Sequence, residues 1–323
     1  MMQLSIVIPV FNEAESLRQL HSEIADVAAE NHYGLEIIFI DDGSGDDSWR
    51  VITQIAESDE RVKAVRFRRN FGKAAALQAG FNAASGEFIL TMDADLQDNP
   101  REIPDFLRLM ETGLDVVSGW KKERHDPIHK VFPSRCFNAM VSWLTGVKLH
   151  DHNCGMKCYR REIFESVKLY GEMHRFIPVL AAAKGFKTGE KTVEHRARQF
   201  GHSKYGFSRF VKGFLDLLTV WFLTRYSQRP LHLFGTAGLI WTILFVPVIT
   251  SSNLCASAGH LGWSEFFSYI MTFTLCFMIT LICVFFGLSA ELSVYHRNRD
   301  DAYYAVRETL RLDKQRQAVN NEQ

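Results

Sequence analysis

Asp93, Asp95 and Gln97 close an apolar run, Phe88-Ile89-Leu90-Thr91-Met92, at two-residue spacing. In an extended backbone side chains alternate faces, so these three share one side and Ala94 and Leu96 take the other. Two carboxylates and an amide oxygen make a hard-oxygen site suited to Mg2+ or Mn2+. Such sites commonly leave positions for phosphate oxygens, so a metal-bound nucleoside diphosphate is the expected ligand class.

Three further constellations carry chemistry. Pro9-Val10-Phe11-Asn12-Glu13 follows an apolar run and reads as a strand-to-helix turn with Asn12 as cap. Asp41-Asp42-Gly43-Ser44 ends a second run; a carboxylate there can accept a base imino N–H or ribose hydroxyls, although alone the motif is more often a capped turn. Arg69-Asn70-Phe71-Gly72-Lys73 opens an Ala-rich helix, whose N-terminus with Gly and Lys is a ready anion site.

The elements that must position these residues alternate. Strands are expected at Leu4–Val10, Leu35–Ile40, Val62–Phe67, Phe88–Met92 and Val116–Gly119, from short apolar runs. Helices are expected over Glu13–Ala29, Asp46–Ser58, Gly72–Ala84 and after Pro100, where Asp98 or Asn99 can cap. Arg175–Lys184 reads as helix, Lys187–Glu194 as extended, and His195–Tyr205 as a basic loop. Strand–helix alternation predicts an α/β fold with a mostly parallel, right-handed sheet and helices on both faces. Ligands bind such sheets at the carboxyl ends of the strands, where the polar clusters lie.

The chain has 37 basic and 37 acidic residues, so its net charge makes no case for nucleic acid. The balance hides an asymmetry: Leu231–Ser264 and Phe266–Ala290 contain no Asp, Glu, Lys or Arg. Each is long enough for the roughly 20 residues that cross a hydrocarbon core. Arg225 and Arg229 precede the first run, His296, Arg297 and Arg299 follow the second, and the loop between has no Lys or Arg. The positive-inside rule then puts both chain ends in the cytosol. Phe207–Arg225 gathers Phe207, Phe210, Val211, Phe214, Leu217, Leu218 and Trp221 on one side, the pattern of an interfacial helix. Met1–Val10 reads as a strand, and no signal peptide is expected. The tail after Ala305 reads as polar helix. The six cysteines fit neither a disulfide framework nor a zinc pattern, and reduced thiols are expected.

Taken in order, Pro-Val-Phe-Asn-Glu, Asp-Asp-Gly-Ser, Asn-Phe-Gly-Lys and Asp-Ala-Asp-Leu-Gln resemble the GT-A fold of family 2 glycosyltransferases. The later motifs Gly119-Trp120-Lys121-Lys122-Glu123-Arg124, Asn153-Cys154-Gly155-Met156-Lys157, Gly171–Pro178 and Gly201-His202-Ser203-Lys204-Tyr205 resemble the polyprenyl-phosphate branch. That branch includes dolichol-phosphate mannose synthases and bacterial undecaprenyl-phosphate glucosyl- and aminoarabinosyl-transferases. The resemblance covers Leu4 to Glu291.

It implies an organisation of 1–206 as cytosolic catalytic domain, 207–230 as juxtamembrane helix, 231–291 as two transmembrane helices and 292–323 as cytosolic tail. It also implies roles. Asp93, Asp95 and Gln97 would hold the Mg2+ or Mn2+. Asp41 would meet the base, Asp42 would add a base or ribose contact, and Pro9, Phe11 and Glu13 would shape that pocket. Lys73 would serve the donor, and Lys204 would close over phosphate. Arg135, with Lys130, Lys121 and Arg124, would receive the lipid phosphate. Several relatives carry Asp where this chain has Asn153, which leaves Asp151 as the nearest base.

The implied activity is inverting transfer of a hexose from a nucleotide sugar, a UDP-sugar by expectation, to undecaprenyl phosphate at the cytosolic face of the inner membrane. The expected partners are that donor, the lipid acceptor, the bilayer and further copies of the chain. A different lipid acceptor, or a non-catalytic scaffold or flippase partner that keeps the fold, are the alternatives. A processive synthase fits less well, since a Gln-x-x-Arg-Trp motif is missing.

Overall fold

A computed structural model describes residues 4–32, 34–122, 128–167, 169, 171–196, 208–226 and 306–310, with isolated positions between 267 and 292. The chain divides into two compact units, one formed by Met1–Val220 with Asn298–Gln323 and the other by Trp221–Arg297.

The first half alternates strand and helix: β1 (Leu4–Val10), α1 (Leu17–Asn31), β2 (Leu35–Asp41), α2 (Ser48–Ser58), β3 (Val62–Phe67), α3 (Lys73–Ala83), β4 (Phe88–Thr91), α4 (Ile103–Glu111) and β5 (Val116–Trp120). Then come α5 (Ile128–Thr145), β6 (Lys157–Arg160), α6 (Ile163–Ser166), α7 (Ile177–Ala183), β7 (Thr188–Thr192), α8 (Ser208–Arg225) and β8 (Val306–Leu310). The eight strands form one sheet in the order β7-β5-β6-β4-β1-β2-β3-β8. Strands β4, β1, β2 and β3 run parallel, with Val7 paired to both Ile38 and Thr91.

Burial follows from composition. β1 and β2 are almost wholly buried runs of Ile, Val, Leu and Phe, as a parallel strand covered on both faces requires. α1 turns Leu17, Leu20, Ile24, Val27 and Ala28 inward, at helical spacing. α3 is buried from Ala74 to Phe81; its small side chains let it lie close on β1 and β2. Ile6 and Phe39 are fully enclosed, and trimming Phe39 to Ala would remove roughly 3–5 kcal/mol.

Four findings correct the sequence expectations. β4 ends at Thr91, and Asp93–Gln97 is a turn with Leu96 at φ 62°, so alternation does not set those side chains. β6 enters antiparallel between β4 and β5, where Cys158 pairs with both Leu90 and Val117. Val306–Leu310 is a strand, not helix; it lies antiparallel on β3 and covers that edge. Asn12 does not cap α1, whose N-cap is Ser16; it sits at φ 58°, and its side-chain oxygen accepts the Gly45 N–H at 2.8 Å.

The first expected span, Leu231–Ser264, lies outside the described residues. Within the second, positions such as Ile270, Thr274, Met278 and Leu281 are helical. Among the described residues, no helix is long and apolar enough to cross a membrane. In α8, Leu217 and Val220 are buried and Gly213 lies against Phe137 and Arg175, whereas Phe214 and Leu215 are exposed. Part of its expected apolar side therefore packs on protein.

Candidate active site

Parallel strands deliver the loops after β1, β2, β3 and β4 to one edge of the sheet, and hydrogen bonds weld those loops together. Ser44 Oγ accepts the Asn12 N–H at 3.0 Å, and Ser48 Oγ accepts the Glu13 N–H at 3.0 Å. Asp42 accepts the Phe71 and Gly72 N–H groups at 2.7 and 2.9 Å, so the second loop holds the third. Gly43, at φ 70°, passes so close to Arg69 that a Cβ would lie 2.7 Å from its Cα. Only glycine fits that approach without strain.

These loops enclose a cavity of about 370 Å³, within the usual range for small-molecule sites. Pro9, Phe11 and Glu13 line one side, Asp42, Asn70 and Gly72 the next, and Lys73, Asp93 and Asp95 the far end. Asp41 lies outside the lining. Its carboxylate is fully buried, accepts the Ser44 N–H at 2.9 Å and pairs with Arg66 at 3.2 Å. Burial and the neighbouring Asp41 push the Asp42 carboxyl above its ordinary range, against the pull of the Phe71 and Gly72 N–H groups.

The acidic end is a charge cluster. Lys73, the first residue of α3, donates from Nζ to Asp93 Oδ1. Lys121 pairs with Asp98 at 3.0 Å, and the other Asp98 oxygen accepts the Asp93 N–H at 3.2 Å. Desolvation opposes ionisation of Asp93, but Lys73, then Lys121 and Lys157, hold its carboxyl below the usual range. Desolvation likewise works against the Lys73 ammonium, yet Asp93, Asp98 and Asp95 raise its pKa. A Cβ at Gly155 would come within 2.7 Å of the Asp93 carboxyl carbon, so the glycine makes room for that side chain. Asp95 accepts the Gln97 N–H at 3.2 Å. The Gln97 amide nitrogen faces the Arg196 carbonyl at 3.4 Å and His195 at 3.5 Å.

Other expected residues lie elsewhere. Asp151 is buried, accepts the Asn153 N–H at 3.0 Å in its own turn and does not line the cavity. Lys121 is committed to Asp98, and Arg135 is exposed on α5. Arg124, Lys204 and the Lys130 side chain lie outside the described residues. Trp120 stacks on His150 at 4.1 Å.

The sequence names Asp98 as a possible helix cap and Gly155 and Lys157 within a motif, without a role for any of them at the site. Lys157 is buried in β6, donates to the His152 carbonyl at 2.8 Å, and burial lowers its pKa to about 8. Its place in the Asn153–Lys157 motif was the available signal. Among the described residues, no group of three or more His, Cys, Asp or Glu is arranged to hold a metal. The cavity does present hard carboxylate oxygens from Asp93 and Asp95, with a cation, the Lys73 ammonium, already against one of them. That donor set fits a divalent ion whose remaining positions come from a diphosphate.

The family model described as glycosyl transferase family 2 matches residues 5–168, half of the chain. The chain belongs to glycosyl transferase family 2. Among family members, the dodecaprenyl-phosphate galacturonate synthase of Rhizobium johnstonii is 37% identical, over 98% of this chain and 95% of that protein. The undecaprenyl-phosphate 4-deoxy-4-formamido-L-arabinose transferase of Yersinia pestis is 39% identical, over 84% of this chain and 83% of its own. The glucosyl-3-phosphoglycerate synthase of Mycobacterium tuberculosis, solved with Mn2+, UDP-glucose and phosphoglyceric acid, superposes with a TM-score of 0.51 at 18% identity. That match covers 69% of this chain and 79% of that one and shows a shared fold.

Proposed function

We propose that this glycosyltransferase moves a hexose from a nucleotide sugar, a UDP-sugar in our reading, to polyprenyl phosphate at a membrane surface, with inversion. The observation that carries the reading is the convergence of Lys73, Asp93 and Asp95 with Pro9, Phe11, Glu13 and Asp42 on one cavity at the carboxyl edge of the sheet. The names of the two relatives support the lipid acceptor.

In this reading the nucleoside lies against Pro9, Phe11, Glu13 and Asp42, and the diphosphate reaches Lys73. We assign Asp93, Asp95 and, through its amide oxygen, Gln97 to a divalent ion, Mg2+ or Mn2+. When bound, that ion supplies positive charge to the departing diphosphate. Lys73 adds a second charge at the start of α3, where helix N–H groups also favour an anion.

The acceptor phosphate is a monoester with a second pKa near 6, so it is largely dianionic at cytosolic pH. Its oxygen bonds to the anomeric carbon while the bond to the diphosphate oxygen breaks, and the leaving group takes the electron pair. No proton needs removal, so no base is required. Asp151, buried in its own turn, suits a structural role. The protein's work is alignment and charge stabilisation. Arg135 is our assigned contact for the lipid phosphate, and Lys204 for closure over the donor.

Membrane attachment through two spans in 231–291, with both termini cytosolic, completes the proposal. Trp143 is 81% exposed on α5, and Met271, Met278, Ile282 and Phe285 are exposed at helical spacing, as lipid contact favours. Purified protein with Mn2+ and undecaprenyl phosphate should release UDP from one UDP-sugar of a broad panel. Absence of nucleotide release across that panel, GDP-sugars included, refutes the enzyme reading; release only with diacylglycerol or ceramide moves the acceptor. A reporter fused near Gly259 should read the periplasmic side.

A further inference from the structure

The Lys73–Asp93 pair occupies the place where an ion and a diphosphate are to meet. Each side chain is about one-third exposed, 35% and 32%, so the pair faces the cavity and is not sealed in the core. Lys73 begins α3, directly after Gly72, whose N–H is held by Asp42. Its ammonium is the cation in contact with Asp93 Oδ1. Lys121, by contrast, pairs with Asp98 at 3.0 Å and acts on Asp93 only through its charge.

We propose that Lys73 acts as an internal counter-ion of the donor-free protein, holding Asp93 until nucleotide arrives, so that divalent ion and nucleotide bind together. This rests on the reading of Asp93 and Asp95 as the metal-diphosphate anchor. A divalent ion approaching Asp93 Oδ1 alone meets a fixed positive charge at its own ligand. A diphosphate entering with the ion gives Lys73 a new anionic partner, and Asp93 is released to the ion. Because coupling between two ligands is reciprocal, the nucleotide tightens ion binding by the factor with which the ion tightens nucleotide binding. Lys73 is therefore a donor contact that also couples binding of the ion to binding of the nucleotide.

The test is Mn2+ binding to the full-length protein in detergent, read by electron paramagnetic resonance, with and without UDP. Wild type should bind Mn2+ alone about 10-fold or more weakly than with UDP, within the usual span of coupling. Lys73→Met should bind Mn2+ alone about 10-fold more tightly than wild type, with most of the UDP enhancement lost. Lys73→Arg, which keeps the charge, should stay weak. Lys121→Met removes a nearby charge without vacating Asp93 and should change Mn2+ affinity less than about 3-fold. Should Lys73→Met misfold, Lys73→Gln carries the same expectation. Equal Mn2+ affinity in wild type and Lys73→Met, or an equal gain in Lys121→Met, overturns the counter-ion role and leaves the anchor intact. Mn2+ binding to none of these proteins, even with UDP, refutes the anchor itself.

Discussion

Two carboxylate–lysine pairs stand at opposite edges of the same sheet. At the amino edge, Glu36 of β2 is fully buried; one oxygen accepts from Ser5 Oγ at 2.5 Å and from the Ser85 N–H and Oγ at 2.6 and 2.7 Å. The other pairs with Lys63 of β3 at 2.6 Å. At the carboxyl edge, Asp93 has Lys73 and a third of its surface open to the cavity. The chemistry is the same and the satisfaction is not. The buried pair ties β1, β2, β3 and the turn before β4 into one unit. An open pair keeps capacity for a ligand. In this fold, exposure to the cavity separates a charge enclosed by structure from one left open to a ligand.

Substitution at each edge should therefore fail in a different way. The largest effect is expected for Asp95→Asn, which keeps the shape and loses the charge. Turnover should fall about 1000-fold, as when a group that stabilises the leaving charge is lost. Its thermal midpoint should stay within about 2 °C of wild type by calorimetry. A collapse of stability in Asp95→Asn would erase the contrast.

Glu36→Gln should do the opposite. Breaking the buried pair leaves Lys63 uncompensated and should cost about 3 kcal/mol in urea unfolding, with turnover per folded molecule unchanged. Burial works against the Glu36 charge, but Lys63, Ser5 and Ser85 hold its carboxyl below its ordinary 4.5. Its stabilisation is thus complete above about pH 4.5 and is lost as pH falls below that. The variant should be flatter in that acidic window.

The smallest effect sharpens the comparison near the carboxyl edge, in the turn before β6. His152 is buried, and burial, then the Lys157 charge, lowers its pKa to about 3. The folded protein keeps it neutral while the unfolded chain takes up a proton below about pH 6.5. Stability should then fall by up to about 1.4 kcal/mol per unit as pH drops from 6.5 to 5. His152→Gln should show a shallower slope in urea midpoints measured at pH 5 and 7.

The first half of the fold was legible because its strands are continuous apolar runs separated by periodic helices, which local pattern alone reports. Elements α5, β6 and β8 were not. Lys157-Cys158-Tyr159-Arg160 is too short and too charged at its ends to announce a strand, and only β4 and β5 on either side make it one. Val306–Leu310 carries Arg307 and Glu308 and becomes a strand by pairing with β3. At the site, residue type exposed Asp93, Asp95 and Lys73. It did not distinguish Asp41 from Asp42, since adjacent acids look alike until packing sends one to Arg66 and the other to Phe71 and Gly72. Nor did it foresee the pairing of Lys73 with Asp93, twenty residues apart.

The placement of β8 also has a consequence in time. Synthesis runs from the amino end, so β3 is made well before its outer partner: Ala64 meets Leu310, 246 residues later, in register. Until then the β3 edge offers unpaired N–H and C=O groups, the template on which chains misassociate. The nascent enzyme must guard that flank while the segment between is still being produced. Truncation after Asn298 would leave the flank uncovered for the life of the molecule.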